Sequence, residues 1–116
     1  MSQSEVAEGD VVLASLPQAD GTVKNRPAIA LREMPPYHDL LLCGLSTQLR
    51  QQVPDFDEIL SPGDVDYESS GVVETSLVRL GFLGLAAQRD VIGVIGAISP
   101  ERHKRLLKRL SDYLLE

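Results

Sequence analysis

VIGVIGAISPERHKRLLKRLSDYLLE, residues 91–116, decides the fold because one stretch holds a strand, a helix start and an amphipathic helix. Val91 to Ile98 is β-branched and apolar, with two glycines that point to a bend or a close backbone approach. Ser99 is placed as an N-cap, Pro100 fits the first helical position, and Glu101 puts an acid at the positive end of the helix dipole. The pattern predicts a last strand over 91–98 and a helix from Pro100 to about Leu115. Within that helix His103, Leu106, Leu107, Leu110, Tyr113 and Leu114 recur at spacings of three and four, which makes one apolar stripe. Arg102, Lys104, Arg105, Lys108 and Arg109 occupy the other side, and the ordinary expectation for them is a solvated face.

Further towards the N-terminus, Asp55 to Glu74 contains seven acids, Asp55, Asp57, Glu58, Asp64, Asp66, Glu68 and Glu74, and no base, so an acidic surface is expected. Pro62-Gly63-Asp64 signals a turn inside it, and Gly71 to Glu74 is expected to begin a short strand. Ser76 to Ala87 is ambiguous between a helical turn and extended chain, because Leu77, Leu80 and Leu85 fit neither period well. Three earlier strands are predicted: Asp10 to Leu16, Arg26 to Leu31 and Asp39 to Leu45. Pro17 to Asn25 is read as a loop joining the first two, and Pro35 and Pro36 break the chain before the third.

A chain of 116 residues, 43% apolar and 24% charged, fits one folded domain over 1–116, with residues 1–8 expected to be a flexible arm. The longest apolar runs, such as Leu40 to Leu45, fall far short of the roughly 20 residues of a membrane-spanning helix. The start of the chain has neither the basic nor the apolar segment of a secretory signal, so a cytoplasmic location and no membrane partner are expected. Cys43, the single cysteine, reads as a buried strand thiol. His38 and His103 stand apart from any ligand cluster, and neither a Walker loop nor Gly-x-Ser-x-Gly occurs, so no metal, no cofactor and no serine hydrolase chemistry is indicated. A net charge of -6 means that any nucleic-acid contact has to be local.

Five segments in order resemble the MazF/PemK/Kid toxin family of bacterial toxin-antitoxin pairs. They are Gly9-Asp10-Val11-Val12, Arg26-Pro27-Ala28-Ile29-Ala30-Leu31, Leu45-Ser46-Thr47-Gln48-Leu49, Ser70-Gly71-Val72-Val73, and Ile92-Gly93 through Ile98-Ser99. The resemblance implies a mainly β fold with a C-terminal α-helix, an SH3-like small β-barrel. It also implies metal-independent cleavage of single-stranded RNA by a homodimer whose groove binds an antitoxin peptide.

By that resemblance Arg26 and Ser46 are the catalytic candidates, with Thr47, Gln48 and Glu74 as substrate-binding residues. Such chemistry needs a base for the ribose 2′-hydroxyl, a positive donor for the phosphorane oxygens and an acid for the leaving oxygen; the planar fork of arginine suits the second role. The plasmid-type toxins carry Arg-x-Asp after the Val-Val pair, where this chain has Glu74-Thr75-Ser76. That departure, with the acidic stretch, leaves open an alternative: a catalytically degenerate barrel that binds an antitoxin-like peptide or dimerises without cutting RNA.

Overall fold

In the computed structural model, which describes residues 6–116, alternating apolar residues build six strands: β1 (Asp10–Pro17), β2 (Val23–Met34), β3 (Asp39–Ser46), β4 (Glu58–Leu60), β5 (Ser76–Ala86) and β6 (Val91–Ala97). They pair antiparallel in the order β4-β5-β3-β2-β1-β6 and curl into a half-barrel. Successive residues of a strand face opposite sides. Val11, Ile29, Leu31, Cys43 and Leu45 therefore enter one buried cluster, while Val12, Ala14, Ala28, Ala30, Leu40 and Leu42 enter a second. The third strand is thus lined on both faces, as its run of leucines predicts.

The C-terminal helix α2 (Pro100–Leu114) begins where the cap predicts: Ser99 Oγ accepts from the Arg102 amide at 3.1 Å. Its stripe docks Leu106 and Leu110 into the first cluster, and each such side chain removed from water contributes about 1.5–3 kcal/mol. His103 Nε2 donates to the Leu31 carbonyl at 2.8 Å, which ties the helix to β2. Burial pushes the Cys43 thiol up to about 12, so this cysteine is an inert core residue.

The basic side of α2 is solvated at Lys104, Arg105 and Lys108, but Arg102 is buried and Arg109 half-buried. Arg102 donates to Asp66 at 2.8 Å, Glu58 at 2.8 Å and Asp64 at 3.1 Å. Arg105 and Arg109 join Glu58 at 2.9 Å and 3.3 Å. Three arginines of the basic helix side and three carboxylates of the acidic stretch, Glu58, Asp64 and Asp66, thus form one ion network. Of the seven acids only Asp55, Glu68 and Glu74 remain exposed, which removes much of the acidic surface behind the non-catalytic alternative.

Three further expectations change. Gly71 to Glu74 forms no strand: the short helix α1 (Tyr67–Ser70) ends at Gly71, whose φ of 78° is the left-handed conformation that glycine adopts freely. A side chain there would strike the Ile95 carbonyl, because α1 lies directly on β6, with Ser69 Oγ donating to the Ala97 carbonyl at 3.0 Å. Ser76–Ala86 resolves as the long strand β5. The expected arm is fixed at its end, since Val6 is buried and Glu8 accepts from the Glu33 amide at 2.8 Å; residues 1–5 lie outside the described part. Among the described residues no helix is long and apolar enough to cross a membrane.

Candidate functional site

Strand register brings Arg26 and Ser46 together. Ala28 of β2 pairs with Gly44 of β3, so Arg26 and Ser46, each two residues further out, stand side by side on the same sheet face. On the far side of β3, Gly44 pairs with Arg79 and Cys43 with Leu83, leaving residues 80–82 as a bulge in β5. The bulge is held from behind: the Leu80 amide donates to Asp57 Oδ1 at 3.0 Å, and the other oxygen of this buried carboxylate accepts from the Val53 amide at 2.9 Å.

The bulge turns Phe82 over Gly44, where a Cβ would lie 2.5 Å from the ring, so only glycine leaves room for it. The guanidinium carbons of Arg26 and Arg79 lie 6.0 Å and 5.4 Å from the centre of that ring, within cation–π range. These groups open into a cavity of about 380 Å³ whose wall also includes Gln18, Asp20, Ser46, Gln48 and Gln51. Arg26 Nε is buried and has no hydrogen-bond partner among the described residues. A buried donor left unpaired costs about 1–3 kcal/mol. Ser46 Oγ accepts from the Gln48 amide at 3.0 Å, so its hydroxyl proton remains available to donate outward.

Thr47 lines a smaller adjoining cavity of about 160 Å³ with Arg26, Pro27, Leu45, Ser46 and Ser76. Glu74 lines neither cavity: it is exposed in the loop before β5, and its carbonyl accepts from Ser76 Oγ at 2.9 Å. The acidic residue that does line the wall is Asp20, from the turn between β1 and β2. The Thr22 hydroxyl at 2.7 Å and the Thr22 amide at 3.0 Å both donate to Asp20 Oδ1 and hold its carboxyl below the ordinary value of 3.8.

Asp20, Arg79 and Phe82 have no motif to announce them. Asp20 reads as turn chemistry, and the other two fall in the ambiguous stretch after Ser76. Among the described residues no group of three His, Cys, Asp or Glu side chains could hold a metal ion. The fold and cavity define a small, mainly β domain closed by a C-terminal helix, with a polar pocket lined by two arginines, an aspartate, a serine and amide side chains. No protein-family model and no curated protein matches the sequence.

Proposed function

We propose that this chain is a metal-independent endoribonuclease of the MazF/PemK kind, an SH3-like barrel that cleaves single-stranded RNA as the toxin of a type II toxin-antitoxin pair. The observation that carries the reading is the meeting of Arg26 and Ser46 in one cavity, with Arg26 Nε buried and unpartnered. A phosphate oxygen is a strong acceptor, and charge-assisted hydrogen bonds from a guanidinium fork are roughly twice as strong as neutral ones.

In the reaction the ribose 2′-oxygen attacks the adjacent phosphorus. The 2′-O–P bond forms and the P–O5′ bond breaks, which leaves a 2′,3′-cyclic phosphate and a 5′-hydroxyl. Arg26 stabilises the charge that builds on the non-bridging oxygens, and the Ser46 hydroxyl donates a hydrogen bond to one of them while keeping its proton. The Asp20 carboxylate, which lines the cavity where Glu74 does not, takes the 2′ proton; a water supplies the proton to O5′. The cytoplasm is the compartment, and a homodimer with a groove for the antitoxin peptide is the assembly that accompanies this reading.

The test is incubation of purified protein with end-labelled single-stranded RNA in the presence of a metal chelator. Cleavage to cyclic-phosphate ends is expected, falling about 10²–10³-fold in Arg26→Ala. Cleavage no faster than that of Arg26→Ala sinks the reading.

A further inference from the structure

We propose that Arg79 is a second phosphate-binding residue, holding the phosphate next to the one at Arg26, so that the cavity takes an oligonucleotide strand rather than a single phosphodiester. The inference rests on the nucleic-acid reading of the cavity and adds a residue and a substrate length to it.

The charges around Arg79 support it. Arg32, Arg102, Arg105 and Arg109 each pair with a carboxylate. Arg26 and Arg79, like Arg50 and Arg89, have no carboxylate partner among the described residues, and these two share one aromatic ring. A ring face attracts a guanidinium without neutralising its charge. Two like charges held around one ring in a chain of net charge -6 repel one another, and a phosphate at each offsets that repulsion.

The geometry is built, not incidental. The buried Asp57 carboxylate takes up the Leu80 amide in the β5 bulge, and the ring occupies space that a side chain at residue 44 would fill. Arg26 stands on β2 and Arg79 on β5, the two strands flanking β3. Two strand spacings separate their backbones by about 10 Å, a span wider than one phosphate group and suited to neighbouring phosphates of one strand.

A fluorescein-labelled single-stranded oligodeoxyribonucleotide, which lacks the 2′-hydroxyl and is not cut by this route, is the probe. Its affinity is measured over a range of KCl concentrations for the wild type, Arg79→Gln and Arg79→Lys, with folding confirmed by circular dichroism. Arg79→Gln is expected to weaken binding about 10-fold at low salt and to reduce the slope of log affinity against log salt by about 0.7, the share of one single-strand phosphate contact. Arg79→Lys keeps the charge and should restore most of the slope. If the wild type binds the probe and Arg79→Gln binds with the same slope, the Arg79 assignment is overturned while the ribonuclease reading stands on its cleavage assay. If the wild type neither binds the probe nor cuts RNA, both fall.

Discussion

Arg102 Nε donates to Asp66 Oδ2 at 2.8 Å, and this buried pair ties the first turn of α2 to the residue that precedes α1. Asp66 also accepts from the Ser99 amide at 2.9 Å, so one carboxylate fastens both the helix start and its guanidinium. Burial alone would raise the Asp66 carboxyl. The Arg102 hydrogen bond, the Ser99 amide and the Arg102 charge together outweigh it and hold the group below its ordinary value of 3.8.

Removing Arg102 therefore leaves Asp66 as a buried carboxylate without its cation, while Glu58 keeps Arg105 and Arg109. Arg102→Met should destabilise the fold by about 3–5 kcal/mol near neutral pH, measured by urea unfolding. The sign of the pH dependence follows from the lowered folded-state value. The wild type holds the Asp66 stabilisation in full above 3.8 and loses it as pH falls through the lower folded value. The gap between variant and wild type should accordingly shrink in acid; a gap that is constant or widens there would contradict the pairing.

The second prediction concerns Gly44. In Gly44→Ala the new methyl meets Phe82 at 2.5 Å, so the ring has to move. The expected stability cost is about 1–3 kcal/mol, the range for an overpacked site. Because Arg26 and Arg79 both rest on that ring, the same substitution should weaken oligonucleotide binding more than the loss of folded protein accounts for. Binding that tracks the folded fraction alone would show that the ring does not position the arginines.

How far the chain discloses its own structure depends on whether a feature is local. The Ser99-Pro100 cap and the stripe through Leu106 and Leu110 are local, and the helix lies where they put it. The strands built on Val11, Ile29 and Leu42 were legible for the same reason. Val72-Val73 also reads as strand, yet Val73 is exposed, because Gly71 closes α1 against β6, a contact no neighbouring residue announces. The bulge at residues 80–82 puts the two halves of β5 out of phase, which is why its leucines match no single period and why Arg79 and Phe82 went unnoticed. Arg102 is separated from Glu58 and Asp66 by most of β5 and β6, so the basic and acidic segments each read as surface when considered alone. Arg26 and Ser46 were legible as residues from the family resemblance; their meeting beside Asp20 is set by strand register and the β1–β2 turn.

The third prediction tests Asp20 as the proton acceptor. Its carboxyl is held low chiefly by the Thr22 hydroxyl, then by the Thr22 amide, so the ionised, proton-accepting form persists to lower pH than for an ordinary aspartate. Thr22→Val removes the hydroxyl and leaves the amide in place. The folded-state value should rise towards 3.8, and the acidic limb of kcat/KM against pH should move in the same direction, to higher pH. Asp20→Asn has no carboxylate to titrate and should lose most of the activity together with that limb. The measurement is RNA cleavage followed from acid to neutral pH in both variants, with folding checked at each pH. If Thr22→Val leaves the acidic limb unmoved and Asp20→Asn retains wild-type rates, the proton goes elsewhere, and Arg26 and Ser46 act with a base outside this cavity.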